Sequence, residues 1–419
     1  MVKLVYVLLD GVGDLPHPDL NHLTPLEAAY TPNMDLLARN GTMGSVYSVG
    51  KGVAPESDIA VLSMLGYRFR HEDYVGRGVI EALGSSMDFK DGDLAMRGNF
   101  ATIDSKLNII DRRAGRAIER AEAEVLSRAI QESVKLSGGK FVLMPTIGHR
   151  VVLSVRADNG KLSTDISNTD PAYAKVKGMG VAKPASTKLK LAECKPLKND
   201  SSSKLAAKLI NEFTKKSLKI LGDHEINKSR KNARKMPINC ILLRDAGNRM
   251  PRLEPISKLH GMRFCCIVDM PVERGIAKVT NMETFEAGSA SDYEQKASVA
   301  ARCLGRHDAV YVHIKGPDEF GHDGDARGKK KSIEEIDRKF FGPLLSSITS
   351  DTAIAVSGDH STPCIKKGHS DDPVPLLVSG KMVKNDSLGR FTERYASKGT
   401  LGTLNGYEVL VRTIQLIRS

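Results

Sequence analysis

Three aspartates, three histidines and one serine are the side chains best suited to chemistry, in short blocks far apart along the chain: Asp10, Ser57, Asp318, His322, Asp359, His360 and His369. Carboxylate oxygens combined with imidazole nitrogens suit Mn²⁺, Zn²⁺ or Co²⁺ better than Ca²⁺, which prefers oxygen ligands alone. Six such ligands are too many for one tetrahedral ion, so the set predicts two ions. Two metal ions about 3.5–4 Å apart can hold the attacking and leaving oxygens of a phosphoryl transfer, and we expect that chemistry here.

Ser57 has two interpretations. It follows a turn rich in Gly and Pro (50–55) and opens an apolar run (59–65), so it could be an ordinary helix N-cap. It could also be a nucleophile at a helix N-terminus, where backbone N–H groups bind phosphate. A serine hydroxyl needs activation to act as a nucleophile. Considered alone, Ser57 favours the cap, but six candidate metal ligands in the same chain favour the nucleophile.

The metal-ligand candidates also have simpler explanations when each is considered alone. Asp318 and His322 are four residues apart and could form an ion pair on one helix face. Asp359 and His360 could belong to a turn after a strand. The interpretation as ligands therefore depends on the whole set.

Short apolar runs, rich in β-branched residues, precede the acidic residues at 4–9, 309–314 and 352–356 and predict buried parallel strands. A fourth such run covers 375–378. Ligands of open α/β sheets bind outside the carboxyl ends of the strands, where these acidic residues would lie.

The segment 91–259 differs in character from what surrounds it, with strand-like alternation at 140–144 and 151–155 and a lysine-rich helical pattern at 202–221. We therefore predict an α/β fold, with a discontinuous core at 1–90 plus 260–419 and an inserted domain at 91–259. The core helices are expected at 32–40, 57–65 and 293–303.

The chain of 419 residues carries a formal net charge of +12, with lysines concentrated at 184–235 and 329–331. Basic chains bind nucleic acids, anionic membranes or anionic small molecules. Aromatic residues make up only 5% and Trp is absent, which argues against stacking on single-stranded nucleic acid, and we interpret the lysine runs as solvated helix faces. No apolar run approaches the ~18 residues of a membrane span. The start shows no signal peptide, and six cysteines without a C-x-x-C pair fit reduced thiols, so we expect a cytoplasmic protein.

Ordered motifs covering nearly the whole chain identify a resemblance. They include APESDIAVLSMLGY (54–67), RGNFATID (97–104), DRRAGR (111–116), HIKGPDEFGHDGD (313–325) and SGDHSTPC (357–364). The chain resembles the archaeal-type branch of the cofactor-independent phosphoglycerate mutases, within the alkaline phosphatase superfamily. The resemblance implies an alkaline-phosphatase-like core, with a mainly parallel sheet flanked by helices, and a smaller inserted α+β domain.

The resemblance also implies roles for individual residues. One of two divalent ions would be held by Asp10, Ser57, Asp359 and His360, and the other by Asp318, His322 and His369. Manganese is the expected metal, with Mg, Co or Zn as alternatives, and Ser57 matches the serine that becomes phosphorylated. The residues expected to hold the substrate carboxylate and phosphate are Arg97, His149, Arg150, Asp170, Arg244, Arg249 and Arg274.

Four segments depart from the family pattern. RDAG (244–247) stands where RGAG is expected, placing Asp245 at a glycine position, and Arg274 replaces a lysine. Arg keeps the charge of Lys but offers a planar fork instead of a point charge. EAGS (286–289) replaces GATG, and SNTDP (167–171) replaces SDTDP. All the metal and nucleophile positions are intact, so these departures bear on substrate detail and rate.

The function that the resemblance implies is the interconversion of 3-phosphoglycerate and 2-phosphoglycerate in glycolysis and gluconeogenesis, through a phosphoserine and without 2,3-bisphosphoglycerate. The expected partner is the small-molecule substrate, with no nucleic acid or membrane. Homo-oligomers are common among such enzymes, although no motif specifies one here. The alternatives are a phosphatase, a mutase of sugar phosphates, and a basic nucleic-acid-binding or scaffold protein with an inactive core.

Overall fold

The computed structural model describes residues 2–68, 74–176, 179–182 and 189–418. The chain forms two compact units. The first comprises Met1–Phe69 and Leu253–Ser419, and the second comprises Arg70–Arg252. None of the described helices is long and apolar enough to cross a bilayer.

The strands are, in chain order, β1 (Lys3–Leu9), β2 (Gly41–Tyr47), β3 (Leu94–Ile103), β4 (Ile109–Asp111), β5 (Gly139–Pro145), β6 (Arg150–Ala157), β7 (Tyr173–Val176), β8 (Met179–Ala182), β9 (Cys240–Gly247), β10 (Phe264–Val268), β11 (Glu283–Glu286), β12 (Ala309–Ile314), β13 (Thr352–Gly358), β14 (Val374–Ser379) and β15 (Gly402–Asn405).

The α-helices are, in the same order, α1 (Pro25–Ala28), α2 (Pro32–Arg39), α3 (Ser57–Met64), α4 (Arg77–Gly84), α5 (Arg120–Ser133), α6 (Ser201–Gly222), α7 (Glu225–Asn232), α8 (Ile256–His260), α9 (Pro271–Thr280), α10 (Tyr293–Cys303), α11 (Pro317–Asp323), α12 (Ala326–Ile336), α13 (Gly342–Ser347), α14 (Glu393–Ala396) and α15 (Gly406–Arg418).

The first unit is built on a large sheet with the strand order β11-β10-β12-β1-β13-β14-β2-β15. From β11 to β13 every pairing is parallel. Strands β1, β12 and β13 are buried over almost their whole length, as their continuous apolar runs predicted. The run at 375–378 is also a buried strand, but β14 pairs antiparallel with both of its neighbours.

Helices of the first unit pack their apolar residues against this sheet. Its core combines strand residues such as Val5 and Val312 with helix residues such as Ala297 and Phe340, all of them fully buried. The predicted fold class is confirmed: an α/β structure with a large, mainly parallel sheet flanked by helices. The three predicted core helices correspond to α2, α3 and α10.

The second unit has an antiparallel sheet in which β3 pairs with β4, β6 and β9, and β5 pairs with β6. Its core combines residues of this sheet with those of α5 and α6, such as Phe141 and Phe213, whose rings meet edge to face. The segments expected to be strands at 140–144 and 151–155 are β5 and β6, and the helical pattern at 202–221 is α6.

The division between the units lies earlier in the sequence than we expected. We expected residues 70–90 to belong to the core, whereas the structure groups them with the second unit, which also ends at 252 instead of 259. The cause is α4, which packs on β3 and β9. A Cβ atom at Gly78 of α4 would lie only 2.5 Å from the carbonyl oxygen of Ala95, so this close approach requires glycine.

Candidate active site

The ends of adjacent strands bring the predicted metal ligands together in the first unit. In the register of the sheet, Leu9 at the end of β1 lies opposite Ile314 in β12 and Gly358 in β13. The residues that follow these three strands therefore lie at one edge of the sheet. They are Asp10 after β1, the helix α11 after β12, and the pair Asp359 and His360 after β13.

Asp318 is the centre of one group of side chains. It lies in the first turn of α11, and His322 lies one turn later, with its Nε2 atom 3.6 Å from Asp318 Oδ2. His369 comes from the loop before β14, and its Nε2 atom is 3.5 Å from Asp318 Oδ1. The ligand atoms of Asp318, His360 and His369 all lie within 4.8 Å of one another.

Asp10 and Asp359 form the centre of a second group. The Nε2 atom of His360 is 3.5 Å from Asp10 Oδ1 and 3.3 Å from Asp359 Oδ2. His313 of β12 completes the group, with its Nε2 atom 3.3 Å from Asp359 Oδ2 and 4.0 Å from Asp10 Oδ1. His360 thus lies between the two groups and is close to both.

In each of the three predicted imidazole ligands, the Nδ1 atom is hydrogen-bonded to an oxygen atom of the protein. His369 Nδ1 lies 2.7 Å from the carbonyl oxygen of Pro55, and His322 Nδ1 lies 3.4 Å from that of Lys367. A carbonyl oxygen only accepts, so Nδ1 carries a proton and Nε2 is the nitrogen that faces the carboxylates. His360 Nδ1 lies 3.1 Å from the Thr362 hydroxyl, which donates its own proton to Asp318. Each of these three residues therefore directs Nε2, the nitrogen that would bind a metal, toward the carboxylates.

In Asp10 and in Asp359, one carboxylate oxygen contacts a hydrogen-bond donor or an ammonium group and the other does not. Asp359 Oδ1 accepts hydrogen bonds from the backbone N–H groups of Gly11 and His360, and Asp10 Oδ2 lies 2.9 Å from the ammonium of Lys315. The other oxygens, Asp10 Oδ1 and Asp359 Oδ2, are buried and receive no hydrogen bond from any described residue. Buried acceptors without a donor are costly, so the residues fit a bound cation.

Burial and neighbouring charges oppose each other in this group. At His369 the Asp318 carboxylate outweighs burial and raises the pKa to about 10, whereas burial prevails at Asp10 and His360. Burial raises the pKa of Asp10 to about 6, a rise that the Lys315 ammonium opposes and the Asp359 carboxylate reinforces. Burial also lowers the pKa of His360 to about 3, which keeps this imidazole neutral near pH 7. A neutral imidazole is the form that binds metals.

Ser57 is the first residue of α3, and its hydroxyl oxygen lies 3.1 Å from His360 Nε2. The N-cap of this helix is Glu56, so the interpretation of Ser57 as a cap is wrong. The Ser57 side chain is buried beside the two groups of carboxylates and imidazoles, at the positively polarised end of a helix.

A cluster of arginines lies in the second unit, around His149. The pKa of His149 is lowered to about 2 by burial together with four nearby guanidinium groups: Arg150, Arg113, Arg244 and Arg97. Asp170 is fully buried and lies 3.2 Å from Arg244 Nη1 and 2.6 Å from Arg112 Nη2. The ring of Tyr173 lies below both guanidinium groups. Several cations around a neutral imidazole can bind the carboxylate and phosphate of an anion.

Comparisons with known proteins agree on one family. A sequence model described as 2,3-bisphosphoglycerate-independent phosphoglycerate mutase matches residues 38–227. The mutase of that name from Aeropyrum pernix is 41% identical, with 99% of this chain and 100% of the relative aligned, and the one from Methanopyrus kandleri is 37% identical, with 97% and 94% aligned. The chain belongs to the 2,3-bisphosphoglycerate-independent phosphoglycerate mutases.

Solved structures support this membership. The cofactor-independent phosphoglycerate mutase from Thermoplasma acidophilum is 32% identical, with a TM-score of 0.62 and all of both chains aligned. A protein from Pyrococcus horikoshii is 30% identical, with a TM-score of 0.79, and covers 100% of this chain and 97% of its own. The predicted family and enzyme class, a phosphoglycerate mutase and therefore an isomerase, are confirmed.

The structure gathers most of the predicted site residues of this mutase, in two places. The seven expected metal ligands, including Ser57, lie together in the first unit. Among the expected substrate-binding residues, Arg97, Arg150, Arg244 and His149 lie in the arginine cluster, with Asp170 next to Arg244. Two predicted residues lie elsewhere. Arg249 is exposed after β9. Arg274 lies in the first unit, where its Nη2 atom is 2.6 Å from Glu286 Oε1.

Sequence reasoning missed His313 and Lys315 in the first unit. Both stand in the block HIKGPDEFGHDGD, which carried the resemblance to the mutases. His313 lies inside β12, where a lone histidine between apolar residues is typical of a core position. His313 and Lys315 are two positions apart, so both side chains lie on one face of an extended chain. This spacing could have indicated that both belong to the site.

Proposed function

We propose that this mutase interconverts 3-phosphoglycerate and 2-phosphoglycerate, in glycolysis and gluconeogenesis, through a phosphoserine at Ser57 and with two divalent cations. The observation that carries the proposal is the 3.1 Å contact of the Ser57 hydroxyl with His360 Nε2, an atom that also lies 3.5 Å from Asp10 Oδ1 and 3.3 Å from Asp359 Oδ2. We also propose that the protein works in the cytoplasm.

In the first half of the reaction, Ser57 Oγ forms the new bond to phosphorus and the bond from phosphorus to the glycerate oxygen breaks. The proton that leaves Ser57 is balanced by the proton that the departing glycerate hydroxyl takes up. In the second half, the other hydroxyl of glycerate attacks the phosphoserine, and Ser57 regains a proton. The position of Ser57 supports this role, because backbone N–H groups in the first turn of α3 can bind phosphate oxygens.

The two groups of ligands would each hold one cation. Asp10, Ser57, Asp359 and His360 would hold the first; Asp318, His322 and His369 would hold the second. Bound divalent cations stabilise the charge on the oxygens of the transferred phosphoryl group. The mixture of imidazole and carboxylate ligands favours manganese, with cobalt, zinc or magnesium as alternatives.

The arginine cluster supports an anionic substrate. Arg97, Arg150 and Arg244 would hold the carboxylate of glycerate, because guanidinium groups bind carboxylates through two parallel hydrogen bonds. Asp170 would keep Arg244 in place through their ion pair. The ring of His149 is neutral, so it can form a hydrogen bond with the substrate without adding a further charge to the arginine cluster.

The test is ³¹P NMR of 3-phosphoglycerate with purified protein and Mn²⁺, without added bisphosphoglycerate. We expect 2-phosphoglycerate to form while free phosphate stays constant, and EDTA to stop the reaction. Growth of free phosphate instead would identify a phosphatase. Turnover of a sugar phosphate, but not of phosphoglycerate, would support phosphoryl transfer but refute phosphoglycerate as the substrate.

A further inference from the structure

His313 has the properties of a metal ligand that the family-derived set does not contain. Its side chain is only 1% exposed. It lies near the carboxyl end of β12, which is an interior strand of the large sheet. Its Nδ1 atom lies 3.1 Å from Glu273 Oε1, and its Nε2 atom faces Asp10 and Asp359. Among the described residues, none makes a hydrogen bond with this Nε2 atom.

Glu273 determines which nitrogen of His313 carries the proton. A carboxylate only accepts hydrogen bonds, so the contact with Glu273 Oε1 requires the proton on Nδ1. The ammonium of Lys315 lies 3.2 Å from the same nitrogen, but it also has Glu273 Oε1 at 3.1 Å and Asp10 Oδ2 at 2.9 Å as acceptors. Nε2 is therefore the nitrogen of His313 that faces Asp10 and Asp359 and that a cation would engage.

Three potential ligand atoms thus face one another in a buried space: His313 Nε2, Asp10 Oδ1 and Asp359 Oδ2. Each would be costly if left unsatisfied. A histidine with a purely structural role normally has both nitrogens satisfied. A cation placed among the three atoms satisfies all of them at once.

We propose that His313 Nε2 is a further ligand of the cation held by Asp10 and Asp359, and that Glu273 is the positioning residue that orients it. The inference rests on the two-cation site of the proposed function. With His360 on the same cation, two imidazoles would bind it. Imidazole favours Zn²⁺, Co²⁺ and Mn²⁺, whereas Mg²⁺ prefers oxygen, so His313 would select against Mg²⁺ at this position.

The first test measures Co²⁺ binding to the full-length protein by competition with a chelator and by the visible absorption of the bound ion. His313→Gln should weaken the binding of one of the two Co²⁺ ions on the order of 10–100-fold or more and change its absorption spectrum. Glu273→Gln should weaken the same ion less. His307→Gln is the matched control, because His307 is also buried and bonded to a glutamate, Glu283, and it should bind both ions like the wild type.

Equal affinity and equal spectra for the wild type and His313→Gln would overturn this proposal alone. Failure of the wild type to bind any divalent cation would overturn the proposed function together with it. Should His313→Gln not fold, a crystal structure of the Zn²⁺-loaded wild type decides the question. The cation between Asp10 and Asp359 should then lie about 2.0–2.1 Å from His313 Nε2, and a separation beyond hydrogen-bond range would refute the ligand.

Discussion

The hydroxyl of Ser57 lies 3.1 Å from the Nε2 atom of His360, although 303 positions separate the two residues in the chain. Since Nδ1 of His360 is occupied by Thr362, Nε2 has a lone pair that can accept the Ser57 proton or bind a cation. The serine at the start of α3 is thus linked to the loop after β13. This single contact joins the proposed nucleophile to both groups of ligands.

Replacement of Ser57 by Ala should abolish phosphoryl transfer while the protein remains folded. The variant lacks the oxygen that would bond to phosphorus, and we expect the rate to fall at least about 10⁴-fold. Cation binding should weaken but persist, because the carboxylate and imidazole ligands remain. The measurement is ³¹P NMR of 3-phosphoglycerate conversion, together with metal content after dialysis.

Ser63→Ala is the matched control for that experiment, since Ser63 is buried in the same helix. It should retain the wild-type rate. Conversion by Ser57→Ala at a rate comparable to this control would exclude a phosphoserine at residue 57.

Thr362 should be essential for the geometry of both ligand groups. Its hydroxyl donates to Asp318 Oδ1 at 2.7 Å and accepts from His360 Nδ1 at 3.1 Å, in a fully buried position. Thr362→Val removes both bonds with little change in shape. We expect the affinity for Mn²⁺ to fall on the order of 10–100-fold, as for other residues that orient metal ligands.

Thr362→Ser keeps the hydroxyl and should restore affinity close to that of the wild type. The affinities are measured by calorimetric titration with Mn²⁺. If the Val and Ser variants bind Mn²⁺ equally well, the hydroxyl has no role in orienting these ligands.

Local patterns were sufficient to predict the central strands and the ligands that follow them. A buried parallel strand has a continuous apolar run, and Asp10, Asp318 and Asp359 interrupt such runs or follow them closely. The antiparallel direction of β14 could not be read in this way, because strand direction depends on the path of the chain between strands. The glycine-containing strand β2, the neighbour of β14, gave no strong strand pattern.

Local sequence patterns could not predict which residues pair with the charged side chains, because the partners are distant in the sequence. Asp170 was predicted as a substrate-binding residue, yet its contacts with Arg112 and Arg244 join segments 58 and 74 positions away. His313 was missed because its significance depends on Glu273, 40 positions earlier in the chain. The boundary at 70 was missed because the packing of α4 on β3 depends on tertiary contacts of Gly78.

Lys329 and Asp14 should contribute strongly to stability, because both side chains are completely buried and lie 2.8 Å apart. The interpretation of the lysine run 329–331 as a solvated helix face is therefore wrong for Lys329. Lys329 also donates to the carbonyl oxygens of Gly13 and Thr362, which lie in the loops that follow β1 and β13. Lys329→Met would leave Asp14 as an uncompensated buried charge. We expect the free energy of unfolding to fall by about 3–5 kcal/mol in urea titrations.

Lys381→Met provides the surface comparison, since Lys381 pairs with Asp351 and both side chains are 71% exposed. That change should cost less than about 1 kcal/mol. Adding Asp14→Leu to Lys329→Met should recover part of the lost stability, because the uncompensated charge is removed. A Lys329→Met variant as stable as Lys381→Met would contradict the importance of this buried pair.

The arginine cluster should make stability depend on pH through His149. The pKa of this residue is lowered to about 2 by burial and by the neighbouring arginines, far below the ordinary value near 6.5. Unfolding below pH 6.5 therefore takes up a proton, so the contribution of the neutral ring is present above pH 6.5 and is lost as the pH falls below it. His149→Gln cannot be protonated and lacks this dependence.

The measurement compares urea unfolding of the wild type and His149→Gln at two pH values. We expect the stability of the wild type relative to the variant to fall by about 1 kcal/mol between about pH 7.5 and about pH 5.5. Adding 3-phosphoglycerate should diminish the difference, because an anion bound among the arginines offsets the charges that keep His149 neutral. A difference that does not change with pH would mean that the arginines do not act on His149 as the structure indicates.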